Sequence, residues 1–348
     1  MRPFEAEWDA LAVASGSPFA APAWVKAWFE HLRPERSRLR VVFVSDGARL
    51  VGVGPFCAVG GTLFPVGRGA GIAPPLAASG MRDAVGVAIA ASLAADERTP
   101  TRIELTFARS SGDWAAAIGG AWPGRPLWRR RDAEHVVPYV ELGDGFDEWM
   151  AAKSSSFRRE ARRKRKKLDE AGARFRYADA ASLERDVTEF MRLHRQRLAG
   201  QGGTGLTDRG VERMLVAVGR ELLASGRFRL LCLEVGDTFV AGQLLLGAGA
   251  ELSAWNSGFD EGYSDLSPSM QCLIRALEDA SESGARTMSL GPGGQEYKSR
   301  LADAEDVLES DLLIPRGPRY PLVRLGIGTR QMNKGLRAAV RRRLPAGR

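Results

Sequence analysis

The chain of 348 residues is poor in cysteine and histidine, with three of each: Cys57, Cys232, Cys272 and His31, His135, His194. Three thiols make no disulfide framework and read as buried thiols of a reducing compartment. The histidines are far apart and lack ligand spacing, so no metal centre is expected. The longest apolar stretch, Ala84 to Ala95, has about a dozen mostly small residues, short of the roughly 20 that cross a bilayer. The first residues carry Glu5, Glu7 and Asp9 where a secretory signal would have a basic head and an apolar run, so the expected location is the cytoplasm. A Walker loop, a dinucleotide fingerprint and a nucleophile elbow are all missing. What remains is an ordinary globular composition, 44% hydrophobic and 26% charged, long enough for two domains.

The net charge of +8 is unevenly placed. Leu312 to Arg348 holds ten Lys or Arg and no acid, so the rest of the chain carries 8 minus 10, or −2. Inside that slightly acidic body, Phe157 to Lys167 sets eight basic residues against Glu160 alone. Two basic patches of this kind are either solvated faces or surfaces for a polyanion such as phosphate, nucleic acid or an anionic membrane.

One pattern recurs. Arg40 to Val53 (RVVFVSDGARLVGV) and Arg229 to Gly242 (RLLCLEVGDTFVAG) are related by the shift that carries Arg40 onto Arg229. Each reads as strand, turn at Gly47 or Gly236, strand. A hairpin repeated at one domain length implies two copies of one fold. After the second hairpin, Glu251 to Ser257 alternates like a strand, and Ser267 with Pro268 reads as N-cap and first-turn proline of a helix. In that helix Met270, Leu273, Ile274 and Leu277 form one apolar face, and Gly284 ends it. Arg286 to Leu290 is the next strand, followed by GPGG at Gly291 to Gly294. The order is that of an α+β fold.

WNSGF at Trp255 to Phe259, YSDLSP at Tyr263 to Pro268, GPGGQEYKSR at Gly291 to Arg300 and the basic helix at Arg158 to Lys167 together resemble the GNAT acyltransferase superfamily. The resemblance is closest to its double-domain branch of FemABX-like aminoacyltransferases and CelD-like acetyltransferases. It covers about Gly145 to Ala302 well and the part of the chain before it weakly. It implies two tandem GNAT-like domains, each a mixed central sheet flanked by helices: residues 1–140, residues 141–315 with the active site, and a basic tail at 316–348. It also implies that two parallel strands splay apart, here Glu251 to Ser257 and Arg286 to Leu290, with the acyl donor in the gap. The donor's pyrophosphate would lie at the next helix's amino end. The loop Glu261 to Ser269 has one glycine, Gly262, in place of the family's glycine cradle. QGGTG at Gln201 to Gly205, a closer match to that cradle, reads as a loop over the site, with a phosphate cradle as the alternative.

By the same resemblance, Lys298 meets the donor's phosphate or the developing oxyanion, and Tyr297 either protonates the leaving group or fills the core. Glu296, and less so Asp260, are the acids placed to receive the amine's proton. Trp255, Asn256, Tyr263, Ser267 and Asp260 are expected around the substrates, with Arg158, Arg162 and Arg163 on the phosphates of a large donor or acceptor. Strand alternation predicts that Trp255 and Asn256 face opposite sides, so that one at most lines the gap. Acyl-CoA is the expected co-substrate, with no permanently bound cofactor and no metal, and a small or lipid-linked amine is the acceptor. Aminoacyl-tRNA is the alternative donor, and a non-catalytic membrane- or nucleic-acid-binding module is the reading from another class. Met332, Leu336, Val340 and Leu344, spaced by four among basic residues, suit peripheral contact with an anionic membrane or packing on the protein's own domain.

Overall fold

The computed structural model describes residues 4–199, 209–293 and 295–317, with Tyr320, Pro321 and Leu325. The loop at 201–205 and the basic segment at 329–344 lie outside the described residues. Helices α1 (Glu5–Ala14) and α2 (Pro22–His31) precede the hairpin β1 (Arg38–Asp46) and β2 (Arg49–Val59). Then come β3 (Thr62–Pro65), β4 (Leu76–Ala77), α3 (Arg82–Ala95), β5 (Arg102–Ala108), α4 (Trp114–Gly120) and β6 (Trp128–Glu141). The second half begins with α5 (Phe146–Ala152), α6 (Ser155–Glu170), β7 (Ala173–Tyr177), α7 (Leu183–Ala199) and α8 (Arg209–Leu222). It continues with the hairpin β8 (Phe228–Val235) and β9 (Thr238–Ala248), then β10 (Glu251–Phe259), α9 (Pro268–Glu282), β11 (Thr287–Ser289), α10 (Glu296–Leu301) and β12 (Ala304–Ile314).

Both repeated hairpins form, and they agree beyond their sequence. Gly47 and Gly236 turn with φ of 57° and 59°, a left-handed conformation that glycine adopts without a Cβ penalty. Each hairpin has a register shift, Val44/Ser45 and Leu233/Glu234, at positions that the same repeat superposes. The strands form one sheet in the order β1-β2-β3-β5-β12-β6-β11-β10-β9-β8-β7, with β4 on β2. Read from its middle outward, β12-β5-β3-β2-β1 corresponds to β6-β11-β10-β9-β8, and β7 extends the second arm alone. β3 pairs parallel with β5 as β10 does with β11, and β5 takes β12 antiparallel as β11 takes β6. Each half therefore gives its last strand to the other half, and β6 with β12 form the antiparallel seam. β6 crosses the expected boundary at residue 140, and β12 is paired wholly with strands of the first half among the described residues.

The helices bury the two sheet faces. On one face α1, α2, α7 and α8 share a single core with Trp8, Trp24, Trp28 and Phe190 fully or nearly fully buried, each ring contributing about 2–3 kcal/mol by transfer from water. On the other face α9 packs its predicted apolar side, including Leu273, Ile274 and Leu277, against β8, β9 and β10. A separate cluster under α3 and α4 fills the first half. The basic helix α6 is anchored by Phe157 and Leu168, its buried side chains. No described helix is long and apolar enough to cross a membrane.

Candidate active site

β10 and β11 pair over three residues only, Glu251 to Ser253 against Thr287 to Ser289. Past that point the chain after β11 stays with β6: Leu290 N–H donates to Pro138 O and Gly293 N–H to Val136 O. β10 stays with β9 to Phe259. The two parallel strands thus part at Ala254, and one edge of β10 is left without a strand partner among the described residues. The wedge opens between the two strands that the family resemblance implies.

A bulge sits at that point. The register of β10 on β9 shifts between Ala254 and Asn256, so the inserted Trp255 breaks the alternation of side chains. Trp255 and Asn256 both line the cavity as a result, contrary to the expectation from strict alternation. The Trp255 indole N–H donates to Ala70 O, and its ring packs beside Trp24, Phe190 and His194. The Asn256 carbonyl is held by Gln243 Nε2 at 3.0 Å.

The cavity beside the wedge is about 1390 Å³. Its walls come from both halves: Gly69 to Ile72 and Thr106 to Ser111 from the first, and β10, β11 and α10 from the second. Lys298 stands in its wall, 6% exposed, and its Nζ donates to Gly291 O and Pro292 O, both at 3.0 Å. No carboxylate pairs with it among the described residues. Gly291 makes the turn with φ of 73° and leaves room beside the ammonium group. Burial, and then the charge of Arg197, pull the Lys298 pKa down to about 8. Tyr297 also lines the cavity, and burial raises its pKa against the opposing charge of Arg197.

The other expected residues are placed less centrally. Glu296 is exposed on α10 and is not part of the cavity wall. Asp260 accepts from Gly262 N–H at 2.9 Å, and Tyr263 packs against the core under α9; neither lines the cavity. Ser267 does not cap α9 with its side chain. It adopts the left-handed conformation, φ 50° and ψ 50°, so the first turn of α9, opened by Pro268, keeps donors free of a side-chain cap. Arg158 is engaged with Ala151 O and Lys153 O, and Arg163 pairs with Glu160 at 2.7 Å. Arg162 is exposed.

Several cavity residues escape the sequence reading. Arg197 donates to Ser257 Oγ at 3.0 Å, and Ser269 Oγ on the first turn of α9 bonds the same oxygen at 3.1 Å. Glu251 accepts from Thr287 Oγ1, and burial raises its pKa. His194 is 2% exposed and its Nδ1 lies 3.2 Å from Ser257 O. A signal for it exists: Val187, Phe190, Met191 and His194 fall at i, i+3, i+4 and i+7 of α7, which puts an imidazole on a buried face. No group of His, Cys, Asp and Glu among the described residues could hold a metal ion.

Residues 155–299 match the family model of the acetyltransferase (GNAT) domain. The carboxy-terminal half carries a GNAT domain. The wedge, the bulge and the α9 amino end all belong to this GNAT domain. No curated protein sequence matches the chain. Among solved structures, FemX superposes with a TM-score of 0.65 at 14% identity, covering 92% of this chain and 98% of FemX. The C-terminal domain of a protein assigned as a lysylphosphatidylglycerol synthetase, from Agrobacterium fabrum, gives 0.60 at 10% identity, covering 94% and 96%. L-PGS from Bacillus licheniformis gives 0.54 at 13% identity, covering 87% and 95%. At such identities the shared property is the fold, and it extends over both halves of the chain.

Proposed function

We propose that the GNAT domain transfers an acyl group from an acyl-CoA thioester to a primary amine of a sugar, an amino acid or a lipid-linked envelope precursor. The observation that carries this reading is Lys298. A buried ammonium group held, among the described residues, by carbonyl oxygens alone is costly without an anion, and it stands beside the edge of β10 that no described strand pairs. A thioester lying along that edge brings its carbonyl to the bulge. The amine nitrogen attacks the carbonyl carbon, negative charge gathers on the oxygen, and a nearby cation stabilises it. The nitrogen gives up one proton to a neighbouring base or to solvent, collapse breaks the carbon–sulfur bond, and the leaving sulfur takes one proton from solvent, directly or through Tyr297, which solvent then reprotonates. The free donors of α9 with Arg197 suit the phosphates of the donor.

A second reading replaces the thioester by aminoacyl-tRNA. α6 favours it, because Lys164 Nζ reaches Asp265 O and so fixes this helix alongside the loop before α9. Exposed Arg159, Arg162 and Lys167 on α6 have no ion-pair partner among the described residues, which leaves a cationic ridge for a polyanion. Membrane contact through the tail at 316–348 belongs to the same proposal, for a lipid-linked acceptor. Mass spectrometry of amines incubated with a panel of acyl-CoA donors tests the reading. A product carrying the acyl mass and abolished by Lys298→Met supports it. A product formed only with charged tRNA and lost on ribonuclease treatment selects the second reading, and no product with either donor overturns both.

A further inference from the structure

His194 is chemically unusual in its setting. Its Nε2 is buried and has no hydrogen-bond partner among the described residues, while the residue is one of those lining the cavity and its ring leans on Trp255 with centroids 6.3 Å apart. The other nitrogen defines the tautomer. A carbonyl oxygen only accepts, so the contact with Ser257 O requires the hydrogen to be on Nδ1. Nε2 of the neutral ring is then a bare lone pair. Leaving a buried polar atom unpaired costs about 1–3 kcal/mol, a penalty that a donor group of a ligand removes. The carbonyl that fixes the ring belongs to the splayed part of β10, two residues beyond the bulge.

We propose that His194 Nε2 is the general base of the transfer, a role that rests on the acyl-transfer reading above. As the amine nitrogen gives its electron pair to the donor carbonyl, its N–H proton passes to Nε2. The carbon–nitrogen bond forms, the bond to the leaving sulfur or oxygen breaks, the leaving group takes a proton from solvent, and the imidazolium releases one to solvent. The protons balance, and no further reactant is needed. The charges bearing on the ring are Arg195 and Arg197 of its own helix. Arg195 is paired with Glu212 of α8. Glu251 of β10 and Lys298 and Tyr297 of α10 share the cavity, and β9 contributes only neutral Gln243. Burial and the two arginines lower the pKa of His194 below 6.5, so the base form prevails at neutral pH.

His194→Asn tests this, because the shorter amide can still donate to Ser257 O but has no lone pair at the Nε2 position. With acetyl-CoA and a panel of primary amines, the expected loss in kcat is about 10²–10⁴-fold, with the donor's KM within threefold and the acid limb of the pH profile removed. Activity within threefold of wild type and an unchanged acid limb would overturn the role. Long-range ¹⁵N NMR of the labelled wild-type protein reads the same residue without turnover, the signal assigned by its absence from His194→Asn. An Nδ1–H tautomer titrating below pH 6.5 supports the proposal, and an Nε2–H tautomer overturns it. If no donor supports transfer while the NMR shows Nδ1–H, the acyl-transfer reading fails on its own.

Discussion

Lys298 shows how a single side chain can be placed against stability. An ordinary lysine releases its proton near 10.5, and burial brings this one down to about 8, so between those values the unfolded chain holds a proton that the folded chain has shed. Stability rises with pH wherever the unfolded state binds more protons. Relative to Lys298→Met, the wild type should therefore gain stability from pH 8 to 10.5, as read from denaturation midpoints at several pH values; a flat difference would show that the ammonium group is solvated. The same variant should lose about 10²–10³-fold in kcat. Gly258 is a second residue whose size is dictated by the site. A Cβ there would stand 2.8 Å from His194 N and 3.1 Å from Phe190 O, so Gly258→Ala should cost about 1–3 kcal/mol by overpacking. Urea denaturation measures that cost, and no loss would mean that β10 and α7 part easily.

At the scale of elements, α6 carries two kinds of surface along one helix. Phe157 and Leu168 dock it, while Arg159, Arg162 and Lys167 stay in solvent with no ion pair among the described residues. Replacing those three by Glu should change stability by less than about 0.5 kcal/mol, as exposed substitutions do. It should weaken donor binding at low ionic strength, with the difference closing as salt shortens the screening length to about 3 Å at 1 M. Donor KM measured across a salt series checks this, and an unaltered KM at low salt would remove α6 from the site. β10 makes the complementary point. Its pattern announces a strand, yet the bulge at Trp255 decides that Trp255 and Asn256 both reach the cavity, because one inserted residue cancels the two-residue period.

At the scale of the molecule, the exchanged strands tie the two halves into one sheet. β12 lies between β5 and β6, so a chain ending at Ala302 leaves two strand edges of the first half unpaired in mid-sheet. That truncation should fail to fold in either half, and the full chain should melt in one calorimetric transition. Two resolved transitions, or a folded fragment 1–142 by NMR, would show that the seam is dispensable. The shared core of α1, α2, α7 and α8 points the same way, as does Lys26 of the first half, paired to Glu5 at 2.6 Å and to Glu221 of the second at 3.3 Å.

The sequence alone determined the local features: the two hairpins with their glycine turns, the start of α9 at Ser267 and Pro268, and the basic face of α6. All of these depend on contacts within a few residues or on one periodicity, which a linear pattern records. Tertiary structure decided the rest. The exchange of β6 and β12 depends on pairing between strands from distant parts of the chain, such as Leu308 with His135, and no local pattern encodes which edge a strand will join. A comparable stretch of sequence separates Trp255 from Ala70. Glu296 illustrates the converse, since its neighbour Lys298 points inward while the helix turn carries Glu296 to the surface. A cavity assembled from both halves exists only once the sheet has closed around its seam.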